Sequence, residues 1–213
     1  MSMRSELDKL YALEAFERLC ETYEIKTMRA AFDGNVEAAG TLSISLKNDM
    51  RGQMAVAMWR AKVPKAAFRE YLSSAWDHDH DSVISAAKNL RTLSGMFRYA
   101  EFPLPSELPE RVTLWRGTSR LTLDEAVQGH SWTMNKDVAC WFAMRFASRN
   151  ESAIVLSAEV ARTDIALLHH GRTESEAVLM RPPAGVRIDG NQHDWQQGAD
   201  RHARAHMGLQ TTA

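Results

Sequence analysis

The stretch "TESEAVL", residues 173–179, places Glu174 and Glu176 two positions apart, directly before an apolar run. Side chains alternate between the two faces of a β-strand, so this spacing directs both carboxylates to one face, about 7 Å apart. Carboxylates placed in this way repel each other, and a strand gains no stability from them. The pair therefore indicates either a solvated strand end or a site that requires negative charge.

The residues on both sides of this stretch combine strand patterns with one strong helix pattern. Apolar residues at helical spacing predict a helix in "DVACWFAMRFASRN", residues 137–150. Short apolar or alternating runs predict four strands, namely "RVTLWRG" (111–117), "SAIVLSAEV" (152–160), "EAVLM" (176–180) and "GVRI" (185–188). We therefore expect an α+β core over residues 106–190.

Residues 1–105 are predicted to form a separate helical region. In "VPKAAFREYLSSAW", Pro64 suits a helix start, and Phe68, Leu72 and Trp76 follow on one helical face. A further helix is predicted over residues 81–102, whereas "GTLSISLKNDM" is interpreted as a short strand or loop. Three prolines in "FPLPSELPERV" predict the boundary with the core. The polar, histidine-rich residues 191–213 are interpreted as a surface helix or a loose tail.

Composition restricts the class of protein more than its function. Among the 213 residues, 45% are hydrophobic and 25% are charged, as in an ordinary globular protein, and the net charge is −1. The two cysteines are too few for a disulfide framework. The first residues lack the apolar segment of a signal peptide, and no run reaches the length of a membrane span. We therefore expect a cytoplasmic protein without a membrane partner.

Three short motifs contain residue types that can take part in catalysis. Arg116 ends an apolar strand and is followed by Gly117, while Ser131 and Thr133 share one face of an extended segment. Glu176 begins the strand in "EAVLM". Each motif also has an ordinary interpretation: a surface arginine, a helix cap or a charged strand edge. Their order along one core favours a common site.

In this order the motifs resemble the ADP-ribosyltransferases of the arginine–serine–glutamate type. Those enzymes have an aromatic-Arg-Gly strand, then Ser-x-Ser or Ser-x-Thr before a helix, and then Glu-x-Glu leading an apolar strand. The corresponding segments here are "WRG" (115–117), "SWT" (131–133) and "ESE" (174–176). The resemblance covers residues 108–190 and implies an ADP-ribosyltransferase-like split β-sheet core. It also implies NAD as co-substrate, and a bacterial or phage toxin-like role.

The resemblance implies that Glu176 and Glu174 are the catalytic pair. Cleavage of the nicotinamide–ribose bond creates a cation on the sugar, as in glycoside hydrolysis, and a carboxylate stabilises that charge. By its position Glu176 takes this role. In relatives that modify arginine, the first glutamate positions or deprotonates the acceptor, so Glu174 is the candidate for the acceptor side.

The resemblance assigns the remaining motif residues to NAD binding. Arg116 offers a planar fork to phosphate or ribose oxygens, and Gly117 allows the backbone to approach the nicotinamide amide. Ser131 supports the ribose and orients Glu176. Thr133 shares the face of Ser131 and is assigned either to this site or to the cap of the following helix. Trp132 is expected in the core.

Several functions stay open at this point. The chain contains no Gly-x-Gly and no P-loop, which argues against a dehydrogenase. "DHDHD", residues 77–81, is interpreted as helix-capping and solvated residues rather than as a metal site. The near-neutral charge favours a protein arginine over a nucleic acid as acceptor. Nucleic-acid modification, NAD hydrolysis and a catalytically inactive interaction module are the alternatives.

Overall fold

The computed structural model describes residues 3–19, 22–146, 152–169 and 175–210 of the chain. Contacts divide the chain into two compact units, Met1–Phe102 and Pro103–Ala213. The described part of the first unit is helical, and the second unit combines helices with a β-sheet. The predicted α+β class with a helical N-terminal part is therefore confirmed.

The described residues of the first unit form six helices. They are α1 (Met3–Glu17), α2 (Thr22–Phe32), α3 (Val36–Ser45), α4 (Asn48–Arg60), α5 (Lys65–Ala87) and α6 (Leu90–Ala100). Helix α5 begins directly after Pro64, as predicted. Phe68, Leu72 and Trp76, the predicted apolar face, are all fully buried. Their spacing of four residues aligns them on one side of the helix, and this side is therefore part of the core.

Helix α3 corrects the prediction of a strand or loop at residues 40–50. The Asn35 side chain accepts a hydrogen bond from the Ala38 N–H, which caps the helix, and Ala39 and Leu42 are fully buried. Ile44 remains 59% exposed. Strand propensity at this isoleucine is therefore overridden by the cap and by burial of the opposite helix face.

The "DHDHD" segment lies within α5, where the helix is kinked at Asp79 (φ −161°). The Asp79 carboxylate accepts a hydrogen bond from the Ser82 N–H, so it caps the continuing helix as predicted. The predicted helix over residues 81–102 is wrong in one respect. Lys88 adopts a left-handed φ of 62° and Asn89 caps a new helix, α6, so the segment is divided between α5 and α6.

The described residues of the second unit form one six-stranded sheet. Its strands are β1 (Arg111–Ser119), β2 (Ser131–Thr133), β3 (Ala153–Ala161), β4 (Ile165–His169), β5 (Glu176–Leu179) and β6 (Arg187–Ile188). Its helices are α7 (Leu123–Val127), α8 (Lys136–Met144) and α9 (Gln192–Gln210). The strands lie in the order β4-β5-β2-β1-β3-β6, and every pair of neighbours is antiparallel.

Both faces of this sheet are covered by apolar residues. On one face Leu114, Trp132 and Leu156 belong to the larger core cluster. On the other face Val155 and the partly buried Trp115 pack with residues of α8 and α9. Burial on both sides explains why the strand in "SAIVLSAEV" reads as a continuous apolar run at its centre.

Two elements of this unit were missed in the sequence, and the structure decides between the two alternatives for the tail. Helix α7 contains only five residues, too few for a helical period to repeat. Strand β4 was missed although it is longer than β5, which was predicted. Residues 192–210 form helix α9, one of the two alternatives, and it is not loose, because Trp195 and Ala199 are buried beside Cys140. Burial, with a smaller effect of Asp137, raises the pKa of Cys140 to about 11.

Among the described residues, no helix has both the length and the apolar character that crossing a membrane requires.

Two helical glycines of the first unit provide a test of its packing. A Cβ at Gly52 would lie 2.0 Å from the Ser82 carbonyl oxygen, whereas a Cβ at Gly40 would meet only the Glu70 side chain, at 3.1 Å. We expect Gly52→Ala to lower the free energy of unfolding by about 1 to 3 kcal/mol. Gly40→Ala, the matched control, should leave it unchanged or raise it by up to about 1 kcal/mol. Urea denaturation measures both, and equal effects would contradict the tight α4–α5 contact.

Candidate active site

The three motifs lie on three neighbouring strands, β1, β2 and β5. Glu176 is directly opposite Thr133 on β2, and Thr133 is directly opposite Trp115 on β1. On its other side Glu176 is opposite His169 on β4. Directly opposed residues of antiparallel strands project from the same face of the sheet. His169, Glu176, Thr133 and Trp115 therefore form one line across the sheet, which we call the transverse row.

The predicted site residues are divided between the two faces of the sheet. Ser131 lies two positions from Thr133, and Gly117 two positions from Trp115, so both share the face of Glu176. Arg116 is next to Trp115 in β1 and starts from the opposite face. Sequence spacing alone did not reveal this division, because it depends on how separate strands are paired.

Arg116 connects β1 to β2 through its side chain. The two strands pair at Trp115 and Thr133, and beyond this pair the Arg116 Nη1 donates to the Ser131 carbonyl oxygen at 2.6 Å. The Arg116 Nε donates to the Ala126 carbonyl oxygen, at the end of α7, at 3.0 Å. The guanidinium is therefore committed to two backbone carbonyls. This corrects the interpretation of Arg116 as a surface residue of little structural weight, while a contact with NAD stays a prediction.

Two glycines make room for this arrangement. A Cβ at Gly129 would lie 2.1 Å from the Arg116 Cζ, so the guanidinium occupies the space that a side chain would need. A Cβ at Gly117 would lie 1.6 Å from the Ala139 carbonyl oxygen of α8. The close packing of α8 against β1 therefore explains why residue 117 is a glycine. Its predicted contact with the nicotinamide amide is not needed to explain a glycine there.

Arg116 and Glu176 interact electrostatically across the junction of β1, β2 and β5. Burial lowers the pKa of Arg116, and the negative charge of Glu176 raises it, with a net shift downward. A guanidinium nevertheless remains protonated at neutral pH. The positive charge at this junction is therefore partly balanced by the candidate catalytic carboxylate.

The Ser-x-Thr motif has separate structural functions at its second and third positions. Trp132 is 2% exposed and its Nε1 donates to the Gly129 carbonyl oxygen, so the prediction of a core residue is confirmed. The Thr133 hydroxyl accepts from the Asn135 N–H at 3.0 Å, and Asn135 caps α8 by accepting from the Asp137 N–H. The predicted capping function of this segment is therefore present.

The geometry of the Glu-x-Glu motif differs from the expectation. Strand β5 begins at Glu176, and the preceding Ser175 adopts a φ of 39°, in the left-handed region that side chains rarely occupy. Strand alternation does not continue backwards through such a residue, so a common strand face for Glu174 and Glu176 does not follow. Glu174 lies outside the described residues.

A polar network around Asp189 was missed in the sequence. Its carboxylate accepts hydrogen bonds from the Trp115 Nε1 at 2.7 Å and from the Lys136 Nζ at 2.9 Å. Burial by itself raises the pKa of Asp189, but hydrogen bonds from Lys136, Trp115 and Ser157 outweigh it and lower the pKa. This carboxylate ties β1 to the start of α8 beside the transverse row. An aspartate directly after a short strand was its only sequence signal.

For His169 and His170 the sequence allowed two interpretations, a loop that reaches the active site or an exposed turn. The structure places His169 at the end of β4 and in the transverse row, while His170 lies outside the described residues. Within the residues that the structure describes, no group of three or more His, Cys, Asp or Glu side chains could hold a metal ion.

No protein-family model matches the chain, and no curated protein or solved structure matches it at a significant level.

The two backbone hydrogen bonds of Arg116 predict a measurable effect on stability. Arg116→Ala should lower the free energy of unfolding by about 2 to 4 kcal/mol, because two carbonyl oxygens lose a charged donor. Arg111→Ala, at the other end of β1, removes an exposed ion pair with Glu159 and should cost less than about 1 kcal/mol. Chemical denaturation of both variants measures the difference. If Arg116→Ala lowers the free energy of unfolding as little as Arg111→Ala does, the guanidinium of Arg116 does not hold β2.

Proposed function

We propose that this chain is a mono-ADP-ribosyltransferase, which cleaves the nicotinamide–ribose bond of NAD and transfers ADP-ribose to a protein arginine. One observation carries the proposal. The Arg-Gly segment, the Ser-x-Thr segment and Glu176 are separated along the chain, yet they lie on the adjacent strands β1, β2 and β5. Unrelated strand-edge residues have no reason to converge in this way.

The finer fold assignment belongs to the same proposal. We infer that the six-stranded sheet is the split core of an ADP-ribosyltransferase. Its support is the junction of β1 and β2, where one register pair is followed by the side-chain bridge from Arg116 to Ser131. A site for a dinucleotide at this junction would be bordered by Arg116 on one strand and by Glu176 two strands away.

The chemistry of the reaction explains the charges at this junction. When the C1′–N bond of NAD breaks, its electron pair leaves with nicotinamide, and positive charge develops on the ribose. The Glu176 carboxylate, at the start of β5, would stabilise this charge. Arg116 has two N–H groups on backbone carbonyls, and in the proposal its charge attracts the phosphates while its bonds hold Ser131 in place.

The remaining alternatives differ in what attacks the sugar. Hydrolysis of NAD would use the same carboxylate, with water in place of the arginine. The net charge of −1 favours a protein acceptor over a nucleic acid, which attracts basic surfaces. In an inactive interaction module the Arg116–Glu176 pair would have a structural role alone, and the protein would release no nicotinamide from NAD.

Replacement of Glu176 tests the proposed reaction. Glu176→Gln keeps the shape of the side chain and removes its charge, so nicotinamide release should fall by several orders of magnitude, or about 3 to 5 kcal/mol of transition-state stabilisation. Glu159→Gln, an exposed glutamate on β3 of the same sheet, is the matched control and should keep the wild-type rate. The assay measures nicotinamide released from NAD by each purified protein. An unchanged rate in Glu176→Gln would refute the assignment.

Replacement of Glu174 tests the acceptor side. With labelled NAD and a cell lysate, wild-type protein should label a product that protease digests and nuclease does not. Glu174→Gln should abolish this labelling and leave slow NAD hydrolysis intact, since only the acceptor requires this carboxylate. Equal loss of both activities would make Glu174 part of the NAD site. Unchanged labelling would argue against arginine as the acceptor.

A further inference from the structure

His169 is directly opposite the candidate catalytic glutamate. It ends β4, and its register partner on β5 is Glu176. The two side chains project from the same face, and the Cβ atoms of such pairs are about 4.5 to 5.5 Å apart. His169 is half-buried, as is Glu176. An imidazole is therefore held beside the carboxylate by the pairing of two strands.

The other members of the transverse row are engaged elsewhere. The Thr133 hydroxyl accepts from the Asn135 N–H, and the Trp115 indole donates to Asp189. Neither side chain accepts a proton readily near neutral pH, whereas a neutral imidazole has one nitrogen that does. Strand β5 presents one charged residue to this imidazole, Glu176. His169 is thus the base of the row, next to the carboxylate that the proposed reaction uses.

The position of β4 indicates which substrate His169 would meet. Strand β4 is at the end of the strand order, and Glu176 lies one strand further in. Arg116 and Ser131, the residues assigned to NAD, lie on the other side of Glu176, on β1 and β2. A molecule that approaches Glu176 from the β4 side would therefore reach His169 first. This is the side left for the acceptor.

We propose that His169 is the general base that accepts the proton of the attacking acceptor, while Glu174 positions the acceptor, an inference that rests on the proposed transferase function. The C1′–N bond to nicotinamide breaks and its electron pair leaves with nicotinamide. The acceptor nitrogen donates its lone pair to C1′ and forms the new C–N bond. Its proton passes to the His169 imidazole, which later releases it to water. Glu176 stabilises the sugar cation and takes no proton.

Removal of the imidazole should separate transfer from cleavage. His169→Gln is expected to lower the labelling rate of the protein acceptor by about 10²- to 10⁴-fold, the usual contribution of a general base. Nicotinamide release without acceptor should stay within about threefold of wild type, since Glu176 and the NAD side are unchanged. His193→Gln, which replaces an exposed histidine of α9, is the matched control and should alter neither rate.

Rescue by free imidazole distinguishes a chemical role from a structural one. His169→Ala should regain labelling in proportion to added imidazole, while His193→Ala and wild type should not respond. Two results would refute the role of His169 as a base without refuting the proposed transferase function. One is labelling at the wild-type rate by His169→Gln, and the other is slow labelling by His169→Ala that imidazole does not restore. If wild-type protein releases no nicotinamide from NAD, the proposed function fails, and the role of His169 fails with it.

Discussion

The candidate site depends on one half-buried cation, the guanidinium of Arg116. It donates to the carbonyl oxygens of Ala126 and Ser131 at the point where β1 and β2 stop pairing. This bridge is a charged connection from β1 to α7 and β2. Taking a guanidinium partly out of water is unfavourable, as the lowered pKa of Arg116 indicates. The two carbonyls and the nearby Glu176 offset that cost.

The bridge imposes steric requirements on the chain around it. Gly129 must lack a side chain because the guanidinium fills that space, and Gly117 must lack one because the Ala139 carbonyl of α8 does. Both glycines thus serve close packing at one strand junction. The same junction brings Ser131 and Glu176 together, since β2 pairs with β5 on its other side. Stability and the candidate chemistry therefore depend on the same few contacts.

The two ends of the transverse row differ, because one ends at His169 on β4 and the other at Trp115 on β1. In the proposed reaction NAD would lie on the side of Arg116 and Ser131, and the acceptor on the side of His169 at the outer strand. Glu176 lies between the two sides, where a sugar cation would have to form for transfer to occur. The Asp189 network fixes the opposite end of the row by holding Trp115. In the proposed reaction this arrangement would place the two substrates on opposite sides of Glu176.

The sequence by itself determined the elements with long, regular patterns. The spacing of Phe68, Leu72 and Trp76 predicted a buried helix face, and the motif alternation predicted Trp132 in the core, because burial of apolar residues follows local periodicity. Only the tertiary structure decided that His169 faces Glu176. Opposition between strands is set by register, which depends on turns and on burial of whole faces rather than on neighbours along the chain.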